Sequence, residues 1–186
     1  NTSDVNQEIA HYFMSNAHVR GKTYSSITEQ QFVNELKNST YFCVITHGGE
    51  HEDKLQISTN TENEVLYLTE LASMSAADFN DVRLVVLLSC FSARPGEHSI
   101  AKTLYEKGVD VVIGFSGLVE QELGIYWMLE FMRFVTAGES VGIAIRNAND
   151  SLKAEYKSAR YSDVVDQIIY GINTEYYDED IVLFPQ

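Results

Sequence analysis

The fold is decided by the stretch Arg83-Leu84-Val85-Val86-Leu87-Leu88-Ser89, which ends at Cys90. A continuous apolar run of this length is typical of a strand that is buried on both faces of a parallel sheet. The irregular segment from Phe91 to Glu97 then interrupts the pattern. We therefore predict a central strand with Cys90 at its C-terminal end.

Two further runs of the same kind lie on either side of this strand in the sequence. Residues 41–46 read Tyr-Phe-Cys-Val-Ile-Thr and end at His47-Gly48-Gly49, and residues 109–114 form the third run. Strands joined by crossover helices run parallel, so their C-terminal ends meet at one edge of the sheet. The pattern therefore predicts that His47 and Cys90 lie at the same edge.

The rest of the chain alternates between helical and strand patterns. We predict α/β architecture: a mostly parallel sheet with helices on both faces. Residues 1–27 are poorly defined, with patterns for a helical turn at 8–14 and an edge strand at 18–24. The other predicted elements are a helix over 29–37 after the N-cap Thr28, a hairpin of 55–57 with 65–67 outside the main sheet, helices over 68–72, 99–107 (capped by Ser99 and stopped by Gly108), 122–136 and 140–156, and a final strand over 181–184.

Length and composition favour one compact domain. The chain has 186 residues, of which 45% are hydrophobic and 22% are charged, and this predicts a single domain over residues 1–186. The chain opens with Asn1 in place of Met, so we expect it to be excised from a longer chain. Two cysteines, both within or at the end of apolar runs, favour reduced thiols and a cytoplasmic location.

The net charge of −14 constrains the partners. It repels phosphate backbones and anionic lipid headgroups, which disfavours nucleic acid and membrane surfaces as ligands and favours a basic partner or peptide. No apolar run is long enough to span a bilayer.

The predicted edge of the sheet carries the groups that thiol catalysis needs. A thiolate nucleophile requires a nearby base and a pair of amide N–H groups for the developing oxyanion. His47 provides an imidazole, and the glycines after it let backbone amides approach a substrate carbonyl. Phe115-Ser116-Gly117, at the end of the third run, and Glu120 are the candidate substrate-binding residues.

These motifs resemble the caspase-like cysteine peptidases, which include caspases, gingipains, clostripain and separase, and the similarity is closest to the CHAT-type branch. It covers roughly residues 40–186, with the His upstream of the Cys. The segments that carry it are Tyr41 to Gly49, Leu84 to Ser92 with its Ser-Cys-Phe-Ser, Gly108 to Gly117 ending Gly-Phe-Ser-Gly, Gly138-Glu139-Ser140-Val141 leading to Ala144 and Ala148, and Ile181 to Phe184.

The resemblance implies a caspase-like three-layer sandwich and a Cys–His dyad of Cys90 and His47. It implies an oxyanion hole formed by the backbone amides of Gly48 and Cys90, cleavage of peptide bonds in a protein or peptide substrate, regulatory domains or an activating partner, and no cofactor or metal. Specificity is not implied: the Gln-Ala-Cys signature of caspases is absent, and Leu88 stands where clostripain, separase and the metacaspases carry an Asp that recognises a basic side chain.

Several alternatives remain open. A Cys or His at a strand end is more often a packing or hydrogen-bonding residue than a catalytic one. His47, His51, Cys90 and His98 are also zinc-ligand types, although Gly48-Gly49 disfavours the helix that usually sets such spacing, and the acidic residues from Glu175 to Asp180 suit calcium or a solvated loop. The alternative function is a catalytically inactive caspase-like regulatory or scaffold module.

Overall fold

The computed structural model describes residues 21–22, 24, 26–48, 54–58, 63–95 and 99–184. They belong to two compact units, one made of residues 26–119 and 166–177 and the other of 21–24, 120–165 and 178–184. The single domain over 1–186 stays a prediction. The predicted helical turn at 8–14 and most of the edge strand at 18–24 lie outside the described residues.

The described residues up to β5 contain both strands and helices, and the part of the chain after β5 is helical. In chain order the elements are α1 (Glu29–Lys37), β1 (Tyr41–Ile45), β2 (Lys54–Ser58), β3 (Asn63–Tyr67), α2 (Leu68–Ser73), a 3-10 turn (Ala76–Phe79), β4 (Leu84–Leu88), α3 (Ile100–Glu106), β5 (Val111–Ile113), α4 (Gln121–Thr136), α5 (Val141–Glu155), α6 (Ser162–Gly171) and a second 3-10 turn (Thr174–Tyr176).

The main sheet of the first unit is parallel and has the order β1-β4-β5. Tyr41 pairs with Leu84, and Leu84 pairs with Val111. The predicted α/β class with a parallel sheet is thus confirmed. The predicted hairpin is also confirmed, since β2 and β3 form a separate antiparallel sheet of two strands.

The two longest strands of the main sheet differ in burial. All five residues of β4 are buried, as expected of a central strand. The side chains of β1 are only partly buried, because β1 lies at the edge of the three described strands. The expectation that β1 is buried on both faces was therefore wrong.

One face of the main sheet packs against helices α1, α2 and α3. Val85 and Leu87 of β4 and Val112 of β5 point into this core. Each apolar side chain that is fully buried contributes about 1.5–3 kcal/mol of transfer free energy. On the other side of β4, Leu84, Val86 and Leu88 are also buried. The helical residues in the core are Phe32, Val33, Leu36, Leu71, Ile100, Ala101 and Leu104.

Caps fix the helix ends as the sequence predicts. The Thr28 hydroxyl accepts from the Gln31 N–H at 3.2 Å, and the Gln31 side chain accepts from the Thr28 N–H at 3.1 Å. This reciprocal pair is a capping box. Ser99 accepts from the Lys102 N–H at 3.2 Å, and Gly108 follows α3 with a φ of 99°. That left-handed conformation is easy only for glycine.

In the second unit, α4 packs against α5 across the turn at Gly138, whose φ is 89°. The Trp127 indole N–H donates to the Asn149 side-chain oxygen at 2.7 Å, which ties the two helices together. No helix among the described residues has the length and apolarity needed to cross a membrane.

Two predictions about the C-terminal third need correction. Residues 181–184 do not form a strand: Val182 makes a single bridge, to Ser140. The ladder cannot extend because α5 begins at the next residue, Val141. Helix α6 was not predicted, although Val165 and Ile168 stand at helical spacing and are both buried.

Candidate functional site

The ends of β1 and β4 bring the predicted His and Cys segments to one edge of the sheet. Ile45 pairs with Leu88 in parallel register, and the Thr46 N–H donates to the Leu88 carbonyl at 3.2 Å. The chain segments that begin at His47 and at Ser89 therefore leave adjacent strands at the same edge.

Gly48 lies directly against the backbone carbonyl of Cys90 and the side chain of Ser89. A Cβ on Gly48 would collide with the carbonyl oxygen of Cys90 and would lie 2.6 Å from the Ser89 Oγ. Both contacts are too close for a real side chain, so this position accepts only glycine without a backbone shift. The close approach joins the segment after β1 to the segment after β4.

The two amides expected for an oxyanion hole are the backbone N–H groups of Gly48 and Cys90. Among the residues that the structure describes, neither the Gly48 N–H nor the Cys90 N–H donates a hydrogen bond.

His47 is exposed at this edge. No hydrogen bond or ion pair to its imidazole is found in the described part of the chain. The ring is thus accessible to solvent and to a bound ligand. An imidazole can both accept and donate a proton, which suits it to act as a base.

The Cys90 thiol contacts the main chain of Val119. The Val119 N–H donates to Sγ at 3.3 Å, and the thiol faces the Val119 carbonyl at 3.8 Å. Cys90 is only partly buried, in contrast to the strand that it follows. The thiol is therefore held by backbone groups while part of the residue remains accessible.

Phe91, the residue after the thiol, has a left-handed backbone with a φ of 56°. This conformation costs a non-glycine residue about 1–2 kcal/mol. The Phe91 N–H donates to the Gly117 carbonyl at 3.0 Å, and the Arg94 guanidinium lies 5.4 Å from the Phe91 ring centre. These contacts hold a sharp turn immediately after Cys90.

Ser92 links this turn to the end of β5, a role that the sequence did not predict. Its buried hydroxyl contacts the Ser89 carbonyl at 2.9 Å as a donor and accepts from the Phe115 N–H at 3.1 Å. The Ala93 N–H donates to the Phe115 carbonyl at 3.0 Å. The sequence contains the run Ser-Cys-Phe-Ser, but no local pattern in it identifies Phe115 as the distant partner of Ser92.

The candidate substrate-binding residues differ in their surroundings. Phe115 is fully buried, so its side chain supports the segment from inside. Ser116 is partly exposed, and its N–H donates to the Gly171 carbonyl at 2.7 Å. A Cβ on Gly117 would meet nothing within 4 Å, so there is open space beside it. The Glu120 carboxylate accepts from the Leu123 N–H at 2.9 Å and caps α4.

Cys43 lies inside β1, opposite Val86 of β4. Burial raises the pKa of the Cys43 thiol to about 12, although the residue as a whole keeps part of its surface exposed. Only a thiolate is a strong nucleophile, so this thiol is inert near neutral pH. Both cysteines are free thiols.

The metal alternatives find no support among the described residues, where no group of three or more His, Cys, Asp or Glu side chains is placed to hold a metal ion. His51 and His98, two of the four zinc-ligand candidates, lie outside the described part of the chain, as does Glu97.

No protein-family model matches this chain, and no curated protein sequence matches it either. The function of the edge formed by residues 46–48, 89–93 and 115–119, which we call the thiol edge, is therefore inferred from its own contacts.

Proposed function

We propose that this chain is a cysteine endopeptidase in which Cys90 is the nucleophile and His47 is its base. The observation that carries the proposal is the approach of Gly48 to the Cys90 carbonyl and the Ser89 hydroxyl, which only glycine allows. That contact puts an imidazole-bearing segment and a thiol-bearing segment at the carboxyl ends of two adjacent parallel strands. Ligands of open parallel sheets bind at such an edge.

The proposed reaction uses the Cys90 thiol, the His47 imidazole and two backbone N–H groups. His47 takes the proton of the Cys90 thiol, and Sγ forms a bond to the carbonyl carbon of the scissile peptide. The N–H groups of Gly48 and Cys90 stabilise the oxyanion. His47 then gives its proton to the leaving amine as the carbon–nitrogen bond breaks, and water hydrolyses the thioester. No cofactor or metal is needed.

Two features favour a reactive thiol over a packing cysteine. Cys90 follows a fully buried strand yet is itself partly exposed. The left-handed Phe91 stores local strain directly beside it. Strain of this kind concentrates where a functional group must be presented in a fixed direction.

The same proposal includes the fold, which we propose to be a caspase-like sandwich of the CHAT type. It is supported by the order of the motifs and by the parallel sheet that ends at His47 and Cys90. The proposal includes a protein or peptide substrate, regulation by other domains or by an activating partner, and a cytoplasmic location.

The experiment is a cleavage profile on a diverse peptide library. We expect the wild type and Cys43→Ala to cleave the same peptides, whereas Cys90→Ala loses activity by at least about a thousandfold, because removal of a nucleophile removes the covalent route. His47→Ala should show a loss of similar size. Circular dichroism should show that all variants are folded. A Cys90→Ala variant that retains its rate would disprove the proposal.

The second candidate function is a caspase-like regulatory or scaffold module that binds without cleaving. One observation favours it: the Cys90 sulfur is hydrogen-bonded to the Val119 main chain. This contact engages the sulfur that would otherwise attack a substrate. An alkylating peptide electrophile separates the two candidates: labelling at Cys90 supports the peptidase. Intact protein with no label at Cys90, even when a candidate activating partner is added, supports the scaffold.

A further inference from the structure

The main chain of Val119 reaches the Cys90 thiol from 29 residues further along the chain. We propose that the Val119 N–H positions the Cys90 sulfur and stabilises its thiolate, a role that rests on the proposed function because it presumes that Cys90 is the reactive thiol. Val119 is a positioning residue, since it acts through Cys90 and is not a reacting group.

The two contacts of Sγ respond in opposite ways to ionisation. The Val119 N–H at 3.3 Å is a donor, and its hydrogen bond strengthens when sulfur becomes negative. The Val119 carbonyl at 3.8 Å accepts from the neutral thiol and loses that bond on ionisation. The donor is the closer of the two groups, so the net effect of Val119 favours the thiolate.

The position of the Val119 amide is set by a series of hydrogen bonds. Phe115 bonds to Ala93 and to Ser92, and two residues later Gly117 accepts from Phe91. Val119, two positions beyond Gly117, continues this series, because its N–H donates to the Cys90 Sγ in the turn after β4.

Because the active group is a backbone amide, the side chain at position 119 is not required for the role. Val119→Ala keeps the N–H, whereas Val119→Pro removes it. This pair separates the hydrogen bond from packing. An ester at position 119, in which oxygen replaces the N–H and the isopropyl side chain is kept, makes the same change without the ring of proline.

The first test measures the rate at which iodoacetamide alkylates Cys90 as a function of pH, in a Cys43→Ala background with a single thiol. Val119→Ala should reproduce the parent profile. Val119→Pro and the ester should move the profile to higher pH by about one unit, with alkylation at neutral pH slowed about tenfold, because the thiolate has lost a donor. Loss of packing alone does not give this shift while leaving Val119→Ala unaffected. Coincident profiles for all variants would overturn the inference.

Proline at 119 also restricts Leu118, so that variant can fail to fold. The second test therefore leaves position 119 unchanged and measures hydrogen exchange of the Val119 amide in the wild type, Cys90→Ser and Cys90→Ala. Cys90→Ala should exchange about tenfold faster than the wild type, because the acceptor is gone, and the Ser variant should lie between them. Equal exchange in the wild type and Cys90→Ala would refute the role.

The two tests do not need peptidase activity. If Cys90→Ala still cleaves peptides, the proposed function fails whatever the Val119 amide does. If the alkylation profiles coincide while Cys90→Ala is inactive, the role of Val119 fails and the peptidase stands.

Discussion

The two cysteines of this protein lie on neighbouring strands but in opposite situations. Cys43 is inside β1, paired with Val86, and burial raises the pKa of its thiol to about 12. Cys90 comes just after β4 ends, at the turn where Phe91 takes a left-handed backbone, and its sulfur faces the Val119 main chain.

The difference shows how a sheet separates packing from chemistry. Within a strand, the backbone groups pair with neighbouring strands and a thiol packs like a small apolar side chain. Immediately beyond the strand, the backbone leaves the ladder and turns, and the Cys90 side chain is held by the Val119 main chain while the residue stays partly exposed. A cysteine inside a strand therefore packs, whereas a cysteine just beyond the end of a strand can take part in chemistry.

The largest expected difference between the cysteines is in reactivity. With a pKa of about 12, the Cys43 thiol is ionised in about one molecule in ten thousand at pH 8. Iodoacetamide at pH 8 should therefore label Cys90 at least about a thousandfold faster than Cys43. Peptide mapping by mass spectrometry gives the two rates in one experiment. Faster labelling of Cys43 in the folded protein would reverse the comparison.

Gly48→Ala tests the contact that makes the environment of Cys90 distinctive. The new Cβ collides with the Cys90 carbonyl and lies 2.6 Å from the Ser89 Oγ, so we expect a loss of about 3 kcal/mol in unfolding free energy. Urea denaturation measures this loss.

Gly117→Ala is the matched control, because a Cβ there meets nothing within 4 Å and should change stability by less than about 0.5 kcal/mol. Equal stabilities of the two alanine variants would mean that residues 47–48 do not pack on the peptide of Cys90.

Two buried serines beside Cys90 sharpen the comparison further. Ser92→Ala removes the buried hydroxyl that accepts from the Phe115 N–H and should lower the unfolding free energy by about 2 kcal/mol. Ser89 is equally buried, but its hydroxyl has no hydrogen-bond partner among the described residues, so Ser89→Ala should be neutral or stabilising. Thermal and urea unfolding of the pair would check the order, and a larger loss for Ser89→Ala would contradict it.

The smallest effect concerns the pH dependence of stability that Cys43 contributes. Its pKa is raised from 9.0 to about 12 in the folded protein, so the unfolded chain loses its proton first as the pH rises. The stabilisation is fully present below pH 9 and is lost between pH 9 and pH 12. Relative to Cys43→Ala, the wild type should lose about 1 kcal/mol of unfolding free energy between pH 8 and pH 10. A constant difference between the two proteins would contradict the burial of this thiol.

Much of the local structure was predictable from the sequence, because local features determine it. The apolar run at Leu84–Leu88 predicted the central strand, and Thr28 and Ser99 predicted helix starts that their hydrogen bonds confirm. One failure has a clear tertiary cause. The run at 181–184 was read as a strand, but strand formation depends on a partner of sufficient length, and the helix that begins at Val141 ends the pairing after one bridge.

The candidate site was predictable only in part. The positions of His47 and Cys90 at strand ends follow from where apolar runs stop. The roles of Ser92 and Val119 do not, because their partners, Phe115 and Cys90, are distant along the chain and no periodicity connects them.

By itself, the sequence determined most of the strands and helices, and it showed which apolar runs finish in a His or a Cys, because apolar periodicity and capping act over a few residues. Only the tertiary structure decided that β4 lies between β1 and β5, that Gly48 meets the peptide of Cys90, and that the thiol faces Val119. These contacts form when the packed core brings distant residues together, and they depend on distances that no local pattern encodes.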